Sequence, residues 1–209
     1  GEIGTIPSLA PGASAILTKS TTITQDTTNT ATATATFGSQ TLTATATATV
    51  KVHDCTISVT KTGPTDVCNG TTQSYTITVR NNSDLFIWTG TVTDSHGAVI
   101  PAGPQTIAAG ATRTYTTSHV VNGAITDTAT AAGAFNDNLA TAAGGTDSQL
   151  TTGQDCSITV TKTGPTDVCN GTTQDYTITV RNNSTSFIWT GTVTDSHGAV
   201  IPAGPQTIA

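Results

Sequence analysis

The sequence predicts an all-β protein made of tandem two-sheet sandwich domains, with about seven strands in each. The first observation is an internal repeat: residues 54–108 return as residues 155–209 with five substitutions, at a constant offset of 101 residues. A period of this length matches a whole sandwich domain rather than one turn of a solenoid. The second is composition, because about a quarter of the residues are Thr, whose β-branched side chain favours strands. The third is period-two alternation of apolar and polar residues along most of the chain.

The repeat predicts three parts: a back half at residues 1–53, a complete repeat at 54–154 and a front half at 155–209. The back half is identified by residues 29–37, which correspond to residues 127–135 of the complete repeat. Each half alone would expose an apolar face and unpaired strand edges. We therefore expect residues 155–209 to be completed by a neighbouring copy or by a continuing chain.

Alternation and turn residues define the strands of the complete repeat. They are predicted at residues 55–61, 73–80, 86–93, a short piece near 98–100, 112–120, 125–132 and 139–149. The larger apolar residues on one face of these strands are the core candidates, and their arrangement favours a sandwich of immunoglobulin-like (Ig-like) type. These candidates are Tyr75, Ile77, Val79, Trp88 and Val92, with Tyr176 and Trp189 in the front half.

The composition points away from several classes of function. A net charge of −6 with only seven scattered basic residues argues against nucleic-acid binding. No apolar run has the length of a membrane span. We find no nucleophile motif, cofactor motif or small-molecule site, so we expect no enzyme, no cofactor and no bound metal. The acidic residues, including Asp94 and Asp127, are interpreted as solvated turn residues, with a loop calcium site as the alternative. The histidines His53, His96, His119 and His197 lack partners at ligand spacing.

Four cysteines occur at equivalent positions in the two copies, which favours disulfides and an oxidising compartment. Their spacing is not that of a zinc site. Cys55 could bond Cys68 locally, but an extended intervening chain would separate the two. With an odd number of strands, the last strand would bring Cys156 close to Cys68. We therefore favour a Cys68–Cys156 disulfide across the domain junction, which leaves Cys55 and Cys169 to bond neighbouring copies.

Five Asn residues begin N-glycosylation triplets, as expected for an extracellular surface. They are Asn69, Asn81, Asn170, Asn182 and Asn183. A Lys–Asn isopeptide bond, as in some pilins, would need a buried Lys and a nearby carboxylate. Lys61 and Lys162 are the candidates, but the apolar pattern around them is weak.

The opening VTKTGPTDV and the following TQSYTITVRNNS resemble the start of a repeat that is widespread in bacterial and archaeal surface proteins. The elements that carry the resemblance are Lys61, residues 75–81, 92–94, 9–14 and 29–34. The complete repeat departs from this family by having Asp127 where Asn is expected, and Ala109-Gly110 where Pro-Gly is expected. The resemblance implies an Ig-like sandwich in secreted or wall-attached stalks, adhesins and fibres, without catalytic residues.

These features predict a structural segment of an extracellular filament or cell-surface fibre. Its partner would be itself, joined head to tail by strand complementation, with possible attachment to the cell envelope. The alternative is an adhesin or stalk module that binds glycan, a surface or ice through its Thr-rich face.

Overall fold

The computed structural model describes residues 2–200 and 202–208, and in this part of the chain it is all-β, as predicted, with fourteen strands. The chain divides into two compact units, Gly1–Asp54 and Cys55–Ala209.

The first unit contains one long β-hairpin. Strand β1 (Thr27–Phe37) pairs antiparallel with β2 (Gln40–Val50), and Ala31 lies opposite Ala46. A two-residue loop joins the strands, and it requires the left-handed backbone that Gly38 adopts with φ 62°. Nearly every residue of the hairpin is exposed, so the alternating Ala and Thr faces are both uncovered within this unit.

The complete repeat folds as two facing sheets. The first contains three antiparallel strands in the order β3-β5-β8: β3 (Ile57–Thr62), β5 (Thr71–Asn81) and β8 (Thr112–Val121). The second has the order β4-β10-β9-β6-β7. Its strands are β4 (Asp66–Cys68), β6 (Trp88–Asp94), β7 (Gln105–Ile107), β9 (Ala124–Phe135) and β10 (Ala142–Gln154). All neighbours in it are antiparallel except β4 and β10, which are parallel.

The core lies between these sheets. One sheet contributes Ile57, Ile77, Val79 and Tyr115, and the other contributes Trp88, Val92, Ala129, Ala131 and Phe135. Burial of each large apolar side chain contributes roughly 1.5–3 kcal/mol. Gly90 of β6 and Gly133 of β9 leave room for the Trp88 ring, whose Nε1 donates a hydrogen bond to the Ala143 carbonyl at 3.1 Å. The core candidates of the complete repeat are therefore buried as expected.

The strand count of the complete repeat is eight rather than about seven. The three-residue strands β4 and β7 were missed because so short a segment carries no period-two signal. The expected piece near residues 98–100 forms only an isolated bridge between Ile100 and Thr116. The last strand begins at Ala142 instead of residue 139, because Asp137 and Thr141 form a hydrogen-bonded turn before it.

The front half repeats part of this architecture as two hairpins. Strand β11 (Ile158–Thr163) pairs with β12 (Thr177–Asn182), and β13 (Trp189–Gly191) pairs with β14 (Gln206–Ile208). The β11–β12 hairpin has the register of β3–β5, because Val160 lies opposite Val180 as Val59 lies opposite Val79. The β13–β14 hairpin has the register of β6–β7, because Trp189 lies opposite Ile208 as Trp88 lies opposite Ile107. Residues 167–169, which correspond to β4, form no strand, because residues 155–208 contain no counterpart of its partner β10.

Two core candidates of the front half are not buried. Tyr176 is 56% exposed, and Trp189 is only half-buried. The reason is the same for both: the strands that cover Tyr75 and Trp88 in the complete repeat are β8, β9 and β10, which have no counterpart among residues 155–208.

Candidate functional site

The uncovered face of the front half is a depression lined by both apolar and polar side chains. It is an open groove of about 670 Å³ between the β11–β12 and β13–β14 hairpins. Its lining includes Lys162, Tyr176, Ile178, Val180, Trp189 and Ile208. The equivalent apolar residues of the complete repeat, such as Ile77, Val79 and Trp88, are buried core residues. The groove is therefore an unfilled copy of the core of the complete repeat.

In the complete repeat the corresponding space is occupied by side chains of β8 and β9, among them Tyr115 and Phe135. Asp127, Ala129, Ala131 and Phe135 of β9 all point inward and are buried. Strand β9 is held by β10, with Ala129 opposite Asp147.

The hairpin of the first unit reproduces this covering element. Ala31 and Ala46 of β1 and β2 correspond to Ala129 and Asp147, and they pair in the same register. Phe37, which corresponds to the buried Phe135, is 65% exposed. One unit thus presents the shape of the β9–β10 hairpin, and the other contains a groove of the type that β9–β10 fills.

The junction between the complete repeat and the front half is covalently closed. Cys68 and Cys156 form a disulfide with a Cα–Cα distance of 5.5 Å across a sequence separation of 88 residues. Their approach follows from the parallel pairing of β4 with β10, which sets Cys68 opposite Gln154, two residues before Cys156. This is the pairing preferred from the sequence.

Hydrogen bonds around Gln154 reinforce the same junction. The Asn69 N–H donates to the Gln154 carbonyl at 2.9 Å, and Gln154 Nε2 donates to Asp66 Oδ1 at 3.0 Å. Thr185 of the front half donates its hydroxyl to Gln154 Oε1 at 3.0 Å. The junction therefore couples the end of β10 to β4 on one side and to the front half on the other.

The two other cysteines occupy different environments. Cys55 is half-buried and packs against the core cluster, whereas Cys169 is an exposed free cysteine. Their expected bonds to neighbouring copies remain a prediction.

A buried charge cluster lies at one end of the core of the complete repeat. Lys61 Nζ contacts Asp94 Oδ2 and lies 2.6 Å from Asp127 Oδ2. All three side chains have no exposed surface. The Lys61 N–H also donates to Asp147 Oδ2 at 2.7 Å, and Nζ lies 5.0 Å from the centre of the Tyr75 ring. Three strands of the two sheets, β3, β6 and β9, thus each contribute one charged group.

Asp127 is the most enclosed member of the cluster. Ser95 Oγ donates to Asp127 Oδ1 at 2.9 Å, and His96 Nδ1 lies 3.3 Å from the same oxygen. His119 Nδ1 lies 3.4 Å from Asp127 Oδ2. Burial raises the pKa of Asp127, but the hydrogen bonds from Lys61, Asp94 and Ser95 and the charge of Lys61 outweigh it, so the pKa is lowered overall.

The sequence-based interpretation of Asp94 and Asp127 as solvated turn residues was wrong, because neither side chain has exposed surface. Lys61 is buried with them, and His96 and His119 both approach Asp127. A signal was present in the alternation: Lys61 follows Ile57 and Val59 at period two, and Asp127 precedes Ala129 in the same way. Each charged residue continues the inward face of its strand.

The front half contains an incomplete version of this cluster. Lys162 Nζ lies 2.5 Å from Asp195 Oδ2, and their side chains are 42% and 14% exposed. The position of Asp127 has no counterpart among residues 155–208.

The candidate glycosylation residues differ in accessibility. Asn81 is fully buried, and its amide donates to the Phe86 and Ile107 carbonyls, so a glycan cannot be accommodated there in the folded repeat. Asn182 makes the equivalent bonds to Phe187 and Ile208 and is half-buried. Asn183 is also half-buried, whereas Asn69 and Asn170 are exposed.

Within residues 2–200 and 202–208, no group of three or more His, Cys, Asp or Glu side chains is arranged to hold a metal ion. The same residues include no helix with the length and hydrophobicity of a membrane span. Comparison of the chain with protein-family models gives no match, and comparison with curated proteins gives none.

Proposed function

We propose that this chain is a structural segment of an extracellular filament or cell-surface fibre built from Ig-like domains joined head to tail. The groove of residues 155–208 takes up the back half, residues 1–53, of a second copy. Such a heterologous contact does not close on itself and therefore propagates as a filament.

The observation that carries this proposal is the identical register of the β1–β2 and β9–β10 hairpins. In the complete repeat, β9–β10 covers Tyr75 and Trp88, and the equivalent Tyr176 and Trp189 lie on the groove of the front half. The exposed Ala face of β1 ends in Phe37, which has the position of the buried Phe135. Covering the groove would bury apolar surface, and each Å² removed from water stabilises the contact by about 25 cal/mol.

The junction disulfide supports the same arrangement. Cys68 bonds Cys156 where one repeat meets the next. Cys169 and Cys55 are the repeat equivalents of Cys68 and Cys156, so the same geometry would join the exposed Cys169 of one copy to Cys55 of the next. Disulfides at every junction, low charge and many hydroxyl groups suit a stiff fibre in an oxidising compartment outside the cell. The resemblance to surface-protein repeats agrees with this location.

Two adjacent residues of β11 provide a matched pair of variants. Val160 is 55% exposed and corresponds to Val59, which packs on the core of the complete repeat, whereas Thr161 points to the opposite face. The wild-type chain, measured by light scattering after size-exclusion chromatography, is expected to form oligomers whose mass grows with concentration. Val160→Asp would place a charge in the proposed interface and is expected to leave monomers, while Thr161→Asp should assemble like wild type.

Electron microscopy of the assembled wild-type chain should show continuous fibres. A wild-type chain that stays monomeric at all concentrations would contradict the proposal, as would equal assembly of the Val160→Asp and Thr161→Asp variants.

The second candidate is an adhesin or ice-binding module, and it is favoured by the outer face of the β1–β2 hairpin. Thr residues of the two strands lie opposite one another in a double column, with Thr30 opposite Thr47 and Thr32 opposite Thr45. Thr28 and Thr34 make cross-strand hydroxyl contacts at 3.2 and 3.4 Å. Ice-recrystallisation and glycan-array measurements on the full chain distinguish this candidate, since a fibre segment would give no signal in either.

A further inference from the structure

The charge cluster of the complete repeat has the components of an amide-forming reaction. An amine, a carboxyl group that it can attack and a second carboxyl group that can transfer protons lie together in a water-excluded interior. We propose that the folded chain forms an isopeptide bond between Lys61 Nζ and the side-chain Cγ of Asp127, with Asp94 as the proton-transferring group.

Proximity is the first argument. Lys61 Nζ contacts Asp94 and lies 2.6 Å from Asp127 Oδ2, so the amine is in direct contact with the carboxyl group that it would attack. Holding two reactants in this way replaces a bimolecular encounter, and it can supply roughly 7–11 kcal/mol of a reaction barrier. Both sheets hold the groups in place, because Lys61 lies on β3 and Asp127 on β9.

Burial is the second argument. One ammonium and two carboxylates would leave a surplus negative charge in an apolar interior, which is costly and favours a proton on one carboxyl group. Transfer of a proton from the ammonium to a carboxylate gives a neutral amine and a neutral acid, and an interior of low polarity favours this pair more than water does. The neutral amine is the nucleophile that the reaction requires.

The step balances without any added reagent. Asp127 is ionised at rest, since its pKa is lowered, and it becomes the neutral acid by taking the proton that the Lys61 ammonium gives up. The neutral amine of Lys61 then attacks Cγ of Asp127, which forms the C–N bond. Asp94 accepts a proton from the nitrogen and delivers it to the departing hydroxyl, which breaks the C–O bond and releases water. The sum is one ammonium and one carboxylate giving one amide and one water, with no change in oxidation state. The hydrogen bond from Ser95 to Asp127 Oδ1 at 2.9 Å would stabilise the negative charge that develops on that oxygen.

The internal repeat assigns the roles of the two carboxyl groups. Asp94 corresponds to Asp195, so this position is Asp in both copies, as expected for a proton carrier. Asp127 corresponds to Asn29 in the first back half. An Asn side chain can be attacked by the amine with loss of ammonia, but it cannot act as the proton carrier. The position that alternates between Asp and Asn is therefore the one that is attacked.

The bond would join β3 of one sheet directly to β9 of the other. It does not depend on the proposed assembly, since all three residues belong to the complete repeat of a single chain.

The direct test is the mass of the intact full chain after reduction and denaturation. Wild type is expected to be lighter than its sequence mass by one water molecule, and fragment spectra should show Lys61 linked to Asp127. Lys61→Arg, Asp94→Ala and Asp127→Ala should each have their full sequence mass. Asp127→Asn should lose ammonia and reach the same final mass as the wild-type product.

The chain contains its own control in Lys162, which lies beside Asp195 but has no counterpart of the second carboxyl group, Asp127, among residues 155–208. Lys162→Arg should retain the one-water deficit of the monomer. Wild type at its full sequence mass would overturn the proposal irrespective of how the variants fold. A deficit that persists in Lys61→Arg, or a link from Lys61 to Asp94, would overturn the assignment of the bond to Lys61 and Asp127.

Discussion

Tyr75 and Tyr176 occupy equivalent positions in two nearly identical segments, yet Tyr75 is 1% exposed and Tyr176 is 56% exposed. The local strands are the same, because β3–β5 and β11–β12 share one register. The difference comes from what packs against them: Tyr75 lies in the interior and donates its hydroxyl to Thr151 of β10 at 3.0 Å. The front half therefore forms its strands locally, without the covering strands that enclose Tyr75.

Gly90 and Gly191 offer a matched test of this difference. A methyl group at Gly90 would collide with the Ala132 carbonyl of β9 and with the Trp88 ring. At Gly191 it would meet only the ring of the half-buried Trp189, which can move. Gly90→Ala should destabilise the complete repeat by at least about 1–3 kcal/mol, and Gly191→Ala should have little effect on the monomer.

Hydrogen exchange of the β6 and β9 amides measures this change in the intact chain without requiring a two-state transition of the whole molecule. Equal protection of these amides in the two variants would show that β9 does not close over Gly90.

The Cys68–Cys156 disulfide should contribute measurably to the stability of the complete repeat. Its closure of a long loop restricts the unfolded chain, and bonds of this kind contribute typically about 2–4 kcal/mol. Cys156→Ser should lower the unfolding free energy of the complete repeat by that amount, and reductant should lower wild type to the same value. Cys169→Ser is the control in the unassembled chain, because Cys169 is exposed there and forms no disulfide, and it should unfold like unassembled wild type. The measurement is urea denaturation followed by hydrogen exchange in β10.

Asp137 should make the β9–β10 turn sensitive to acid. The side-chain and backbone hydrogen bonds from Thr141 hold the pKa of Asp137 below the ordinary aspartate value of 3.8. Because the folded pKa is the lower one, the stabilisation is present above the unfolded pKa and is lost as pH falls through the folded pKa. Carboxyl NMR titration should show the midpoint of Asp137 below that value in wild type and nearer to it in Thr141→Val. A wild-type midpoint at or above 3.8 would contradict the role of these bonds.

The sequence was informative wherever a residue's role depends on its own strand. Alternation located the buried positions of Tyr75, Ile77 and Trp88. It failed where the role depends on a neighbouring strand. Strand β4 exists because β10 pairs with it, so three residues of local sequence could not reveal it.

The charge cluster shows the same limit. Lys61, Asp94 and Asp127 lie on three strands that are distant in sequence, and each one alone resembles a solvated residue at a strand end. Only the pairing of β6 with β9 and the packing of β3 against them bring the three groups together. Period two places each residue on the inner face, but it cannot identify the partner that makes burial of a charge tolerable.

The proposed assembly and the proposed isopeptide bond together predict a covalent link between copies. If β1–β2 of a second copy fills the groove of residues 155–208, its Asn29 takes the position of Asp127 beside Lys162 and Asp195. The same reaction would then release ammonia and join the two copies by an amide bond. Assembled material should form a ladder of oligomers on denaturing gels that survives boiling and reductant. Lys162→Arg should assemble and yet run as a monomer on such gels, whereas Lys61→Arg should keep the ladder. Complete dissociation of wild-type fibres by detergent and reductant would show that no such bond forms between copies.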